Sequence, residues 1–356
     1  MIRIGTREIG AHTRPYLIAE MSGNHNQSLD RALSIVDAAA KSGADAMKIQ
    51  TYTADTMTLD TDAPGFVIED PKSLWAGRRL YDLYKEAHTP WEWHAPIMKR
   101  ANDHGMACFS TPFDDTSVDF LESLGAPAYK IASFEVTDLP LIRKVASTGK
   151  PMIISTGMAT VVEIGEAVQT AVSAGCRQIV LLKCTSTYPA LATNTNISTI
   201  PNMRDAFQCQ VGLSDHTMGV GVAVAAVGLG ATVVEKHFTL SRADGGVDSA
   251  FSLEPAEFAL LRSETERAWQ SLGKITYGGT AAEEKSRAFR RSIYIARDLR
   301  RGELLTRENC RIVRPGYGLE PKYFDIVLGK PVNTDVKAAT PLGWHHLGLP
   351  PTGPSS

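Results

Sequence analysis

The sequence predicts a (β/α)8 barrel with a small β-rich module after it. Three observations carry this prediction. Strand-like runs alternate with helix-like segments through roughly the first 270 residues. There are eight such runs, which fits a closed barrel better than an open doubly wound sheet. Polar side chains collect at the C-terminal ends of the runs, the end at which a barrel of this kind builds its active site.

In order, the runs are YLIAEM (16–21), AMKIQT (46–51), MACFST (106–111), AYKIAS (128–133), PMIIST (151–156), QIVLLKCT (178–185), CQVGLS (209–214) and TVVEKHF (232–238). Between them lie amphipathic segments at helical spacing, such as 29–43, 89–105 and 161–175. Gly43, Gly105, Gly125, Gly149 and Gly175 close helices, where the chain turns left-handed. The gap from Thr51 to Met106 is far longer than the others, and its extra stretch, 52–88, carries Trp75, Arg78, Tyr81 and Tyr84. A loop of that length in a compact domain reads as a lid or a substrate-binding element. After a helix at 255–273 the pattern breaks, so the expected organisation is a barrel over 1–273, a linker over 274–290, a β-rich module over 291–348 and a disordered tail over 349–356.

Composition excludes several classes of function. Of 356 residues, 43% are hydrophobic and 21% charged, and 37 Lys and Arg nearly balance 39 Asp and Glu, so neither nucleic acid nor a membrane surface is indicated as partner. Cys108, Cys176, Cys184, Cys209 and Cys310 are scattered without CxxC spacing, which fits free thiols in a reducing compartment. MIRIGTREIG lacks the layout of a signal peptide, and the apolar stretch from Met218 to Val234 is too short and glycine-rich to span a membrane. A cytoplasmic enzyme is the expectation.

Two stretches are the most informative, GLSDHT (212–217) and EKHFT (235–239). Each puts a histidine at the end of a strand-like run, His216 and His237, with a buried helix between. Adjacent parallel strands bring such ends within reach of one divalent metal. The other strand ends supply Glu20, Lys48 and Gln50, Ser110 and Thr111, Lys130 and Ser133, Ser155 and Thr156, Thr185 and Ser186, and Ser214. Alternation sends Lys48 and Gln50 to the same side. Two lysines among hydroxyls suit a phosphate, and a phosphate beside a metal suits a phosphorylated carbon nucleophile meeting a polarised carbonyl. A Schiff-base aldolase using Lys130 or Lys48 would leave the histidines idle. An ice- or carbohydrate-binding module on an inactive barrel would leave the whole set of pocket groups idle.

With AEMSGNHN (19–26), KIQTY (48–52), FSTPFD (109–114), YKIAS (129–133), STGM (155–158) and CTSTYP (184–189), these motifs make the chain similar to the sialic acid synthase family. DLRRGELLTRENCRIVRPGYGLEP (298–321) resembles that family's antifreeze-like (SAF) domain, which sets the chain apart from related synthases lacking one. The resemblance implies condensation of phosphoenolpyruvate with an amino-sugar aldehyde. It implies that Lys48, Thr111, Lys130, Ser133, Ser155 and Ser214 hold phosphoenolpyruvate, and that His216 and His237 bind a divalent metal, manganese by preference, with cobalt or magnesium as alternatives. Glu20 and Gln50 match groups near the reacting aldehyde, Tyr188 falls in the CTSTYP substrate motif, and Asp248 matches a sugar-side acid. Ser186 stands where the family often has asparagine. Arg314 matches an arginine that reaches the partner subunit's site in a domain-swapped homodimer. Within the family, AEMSGNHNQ and the 74–93 loop resemble the pseudaminic acid synthases, with Met21, Trp75 and Tyr81 expected to pack on a methyl or acetamido group. The alternative is an N-acetylneuraminate or legionaminate synthase.

Overall fold

The computed structural model describes residues 2–71 and 73–348 and divides the chain into two compact units, Met1–Gly273 and Lys274–Ser356. The expected tail at 349–356 lies outside the described residues. No helix among those described is long and apolar enough to cross a membrane.

The first unit opens with an antiparallel hairpin, β1 (Ile2–Ile4) and β2 (Arg7–Ile9), that the sequence reading passed over. Eight parallel strands then close a barrel: β3 (Tyr16–Glu20), β4 (Ala46–Thr51), β5 (Ala107–Pro112), β6 (Tyr129–Ile131), β7 (Met152–Ser155), β8 (Ile179–Cys184), β9 (Gln210–Asp215) and β10 (Val233–His237). Sequential neighbours pair, and β10 returns to β3. The eight expected runs are these eight strands.

The outer layer holds α1 (Leu29–Lys41), α2 (Ala54–Met57), α3 (Leu80–Ala87), α4 (Trp91–Asp103), α5 (Asp115–Ser123), α6 (Leu139–Ala146), α7 (Val161–Ser173), α8 (Thr199–Phe207), α9 (Gly221–Gly228) and α10 (Pro255–Leu272). Their starts follow local chemistry. Ser28, Asp114, Asp138 and Thr160 each accept a first-turn backbone N–H, satisfying donors that a helix start leaves open.

Strand alternation divides the apolar side chains into two cores. Leu17, Ala19, Met47, Ile49, Cys108, Tyr129, Ile154 and Leu181 face the helices. Ile18, Ala46, Phe109, Ala128, Ile153, Leu182 and Val233 fill the barrel interior, and Ile2, Ile4 and Ile9 of the hairpin plug its N-terminal end. Two residues further along each strand, the interior turns polar. Ile18 is followed by Glu20, Ala46 by Lys48, Phe109 by Thr111, Ala128 by Lys130, Ile153 by Ser155 and Val233 by Glu235. The apolar floor lifts the polar ring to the C-terminal mouth. Gly212 keeps this layer tight, since a Cβ there would strike the Val233 carbonyl and the Leu182 side chain.

In the second unit a 3-10 helix runs over Ala281–Phe289, inside the stretch read as a linker, because Thr280 and Glu283 form a capping box. A two-stranded sheet follows, β11 (Ser292–Ile295) against β12 (Cys310–Val313), with a short helix α11 (Phe324–Val327). Ile293, Ile295, Leu299, Leu305, Cys310, Val327 and Leu342 give this unit a core of its own.

Candidate active site

At the barrel mouth, four charged groups lie in the interior almost out of contact with solvent. Lys48 Nζ is 2.5 Å from Glu20 Oε2 and 3.7 Å from Glu235 Oε2, and Lys130 Nζ donates to Glu235 Oε1 at 3.1 Å. Charges this deep cost several kcal/mol each unless they are paired, and here two ammoniums and two carboxylates neutralise one another. Ser214 also donates to Glu235 Oε1, at 3.0 Å, and Lys48 Nζ donates to Thr111 Oγ1 at 3.2 Å. Glu235 therefore ties both lysines and a serine to one point. It stood inside the EKHFT motif without being singled out as a site residue. The signal was its spacing, for a residue two before His237 on a strand shares its side of the sheet.

The environments of the two carboxylates differ. Burial would raise Glu235, but Lys130 and Lys48 outweigh it and bring it to about 2. Glu20 is raised, with burial the largest cause and the Glu235 charge adding to it against the pull of Lys48. The pair thus offers one firmly ionised carboxylate and one able to carry a proton. Burial lowers Lys130, while Lys48, also buried, is raised by Glu20 and Glu235.

Beside the lysines is a cradle of hydroxyls. The Gly157 backbone N–H donates to Ser133 Oγ at 3.1 Å, and a Cβ on Gly157 would collide with Ser186 Oγ and lie 2.7 Å from Ser133 Oγ. Ser155 Oγ is buried without a partner. An N–H, three hydroxyls and two ammoniums around a space that only glycine leaves open match an oxyanion-rich ligand. Ser110 and Thr156 take no part. They face the helices, Ser110 bonding Thr51 and the Ile49 carbonyl, Thr156 the Leu182 carbonyl.

The two histidines come together as the spacing predicts, with ring centroids 5.3 Å apart. His216 Nδ1 meets the Thr185 carbonyl at 3.0 Å, which keeps a proton on Nδ1 and leaves Nε2 as the nitrogen available to a cation. His237 Nδ1 is buried without a hydrogen-bond partner. Burial, then His216 and the lysines, hold His237 well below its usual range, so it is a neutral donor. Burial lowers His216, but the bond to and charge of Cys184 raise it on balance. Burial would raise the Cys184 thiol, yet His216, Ser133 and Ser186 together bring it down to about 6. His237 offers a lone pair directly, and His216 would exchange its Nε2 proton for a divalent cation, so the two imidazoles fit such an ion. Among the described residues no group of three or more His, Cys, Asp or Glu forms a complete metal cage, so further positions would fall to water or substrate oxygens.

A cavity of about 390 Å³ opens next to the histidines. Gln50, Asp248, Tyr188, His237 and Glu135 line its polar side, and Met57, Ile68, Trp75, Leu80, Leu83 and Phe113 line its apolar side. Gln50 Nε2 donates to Glu20 Oε1 at 3.2 Å, and Ser22 bonds Asp248 through a short contact. The Tyr188 ring sits 4.6 Å from that of His216 and 5.9 Å from that of Trp75. Glu135, from the turn after β6, was missed in the sequence reading. Its Oε2 is buried without a partner, and burial, against Lys130, raises it to about 7. A larger cavity of about 570 Å³ lies among Gly5, Met98, Asn102 and Leu124, and holds none of these groups.

Two expected positions, Met21 and Tyr81, fall elsewhere. Met21 is fully buried in the layer under the helices, because it follows Glu20 and so points outward. Tyr81 bonds Asp55 at an exposed site, and Tyr84 lines the cavity instead. Arg314 belongs to the second unit, exposed just after β12.

The sequence profile of the NeuB family matches residues 35–277, about two thirds of the chain. The chain belongs to the NeuB family. The SAF domain profile matches residues 290–348. The chain is 42% identical over 322 residues to the pseudaminic acid synthase of Campylobacter jejuni, covering 90% of this chain and 93% of that one. Against the Helicobacter pylori pseudaminic acid synthase the identity is 40% over 329 residues, 92% and 96% of the two chains. Against the N,N'-diacetyllegionaminic acid synthase of Legionella pneumophila it is 36% over 350 residues, 96% and 97%. Among solved structures, the N-acetylneuraminic acid synthetase of Leptospira borgpetersenii in complex with citrate superposes with a TM-score of 0.72 at 30% identity, covering 80% of this chain and 94% of that one. Membership of the NeuB family makes the chain a nonulosonic acid synthase, a condensing enzyme.

Proposed function

We propose that the chain is a pseudaminic acid synthase, condensing phosphoenolpyruvate with 2,4-diacetamido-2,4,6-trideoxy-L-altrose. One observation carries this reading. His237, Gln50 and Asp248 line a cavity whose remaining wall is largely apolar, and Gln50 bonds Glu20, the partner of Lys48, which ties the cavity to the buried lysines. Met57, Ile68 and Leu80 in that wall suit a sugar ending in a methyl group, since a C6 hydroxyl would lose water there without gaining a partner. The names of the Campylobacter and Helicobacter relatives support the same choice.

On this reading Lys48 and Lys130, with Thr111, Ser133, Ser155, Ser186 and Ser214, hold the phosphate and carboxylate of phosphoenolpyruvate. Binding the anion relieves the lysines of part of their hold on Glu20 and Glu235. Gln50, Tyr188, Glu135 and Asp248 orient the open-chain sugar. His216 and His237 hold a divalent cation, manganese by preference with cobalt or magnesium able to replace it, which when bound supplies Lewis-acid polarisation of the aldehyde. C3 of phosphoenolpyruvate attacks the aldehyde carbon, and Glu235, fixed as a carboxylate, stabilises the positive charge that develops at C2. Water adds at C2, with Glu20 taking its proton, and the resulting hemiketal phosphate collapses by breaking its C–O bond. Sugar, phosphoenolpyruvate and water become a nonulosonic acid and inorganic phosphate. Arg314, by resemblance, serves the site of a partner subunit, so the working unit is a domain-swapped homodimer.

The bond that breaks is open to a direct test. Phosphoenolpyruvate labelled with oxygen-18 in the C–O–P bridge should release labelled phosphate on turnover. Label kept in the sugar acid would contradict the C–O cleavage step.

A further inference from the structure

Behind the two histidines, on the outer face of the barrel, lies an ion pair that the chemistry above does not use. Asp215 ends β9 and Lys236 lies on β10, opposite each other across the parallel pair. Alternation points both away from the interior, one residue before His216 and His237 respectively. Both side chains are about 1% exposed, with Lys236 Nζ 2.8 Å from Asp215 Oδ2.

The contacts reach the backbone that carries the imidazoles. Lys236 Nζ also donates to the Thr217 carbonyl at 2.6 Å and to the Gly219 carbonyl at 2.9 Å, so its three protons have three acceptors. Asp215 Oδ1 accepts from the Thr217 backbone N–H at 2.9 Å and from Thr217 Oγ1 at 2.7 Å. The segment just after His216 is thus held by Lys236, the residue before His237, through two carbonyls, and by Asp215, the residue before His216, through an N–H and a hydroxyl. A buried ion pair is a poor source of stability, because an apolar pair of similar volume often does as well. What such a pair supplies here and an apolar pair cannot is direction, fixing the His216 segment against the His237 strand.

We propose that the Asp215–Lys236 pair positions the two imidazoles for cation binding, an inference that rests on the two-histidine reading above. Neither residue touches substrate or cation. They are positioning residues, acting through the backbone that carries the imidazoles rather than through a bond to either ring.

The test uses the full-length protein, stripped of metal and without substrate. Free manganese is counted by its electron paramagnetic resonance signal, and cobalt is added separately for its visible spectrum. The double variant Asp215→Asn/Lys236→Met removes both charges and keeps the approximate shape. The expected result is a manganese Kd raised about 10–100-fold, with a shifted cobalt spectrum, in protein that melts cooperatively. A Kd within twofold of wild type, with only the melting temperature lowered, would overturn the proposal and make the pair purely structural. Should the double variant fail to fold, Thr217→Val decides the matter. It removes one hydrogen bond to Asp215 and should raise the Kd at least about threefold, whereas an unchanged Kd would overturn the proposal. Failure of the wild type itself to bind manganese would remove the two-histidine reading and this inference with it.

Discussion

Glu135 is the residue whose environment makes the sharpest claim. Burial raises its carboxyl from 4.5 to about 7, so the folded chain binds that proton more tightly than the unfolded chain does. Its contribution to stability is therefore complete below about 4.5 and is lost as the pH rises through about 7. Glu135→Gln should raise the melting temperature by about 5–10 °C near pH 8.5 and leave it unchanged near pH 4.5. Scanning calorimetry at the two pH values measures this, and an equal shift at both would contradict it. Glu135 was not legible in the sequence, since it lies in a turn where no strand period predicts a direction. Glu20, Lys48, Lys130, Ser155, Ser214, His216 and His237 were legible, each lying in or just after the C-terminal part of a strand-like run, where alternation sorts them to one side of the sheet. The same rule separates out Ser110, Thr156 and Met21, which stand one position off and face the helices.

At the scale of elements, the long β4–α4 connection lines the cavity beside His237. It folds into a hairpin-like strap, where Ile68 N–H bonds the Arg78 carbonyl at 2.9 Å and Gly77 N–H bonds the Ile68 carbonyl at 2.7 Å. Trp75 fastens the strap, its indole donating to the Val247 carbonyl at 3.0 Å, next to Asp248. Length alone predicted a substrate element here. Trp75 could not be read from a period as facing inward, because it lies in the irregular part of the strap, whereas Tyr84 follows the helical period of α3 with Leu80, Leu83 and Ala87. Trp75→Ala should raise the KM for the sugar about tenfold and leave the KM for phosphoenolpyruvate within about twofold. Steady-state kinetics with each substrate varied in turn would show it, and equal changes in both values would contradict a sugar-side role. The hairpin of β1 and β2 also escaped the sequence reading. Its strands are three residues each, too short for a period to register, and their burial comes from plugging a barrel assembled from distant residues.

For the molecule as a whole, the polar ring and the apolar floor have one origin, the switch from an apolar to a polar interior side chain over two residues near the C-terminal end of the strands. That switch put the barrel and its active end within reach of the sequence. The sugar is less legible, because it depends on how one strap packs. The account stands or falls on three amino sugars offered in parallel with phosphoenolpyruvate and manganese, read by phosphate release and product mass. It predicts turnover of 2,4-diacetamido-2,4,6-trideoxy-L-altrose, with N-acetylmannosamine and the legionaminate precursor left unused. Preference for either of those two, or no product from any of the three by folded, manganese-loaded protein, would contradict it.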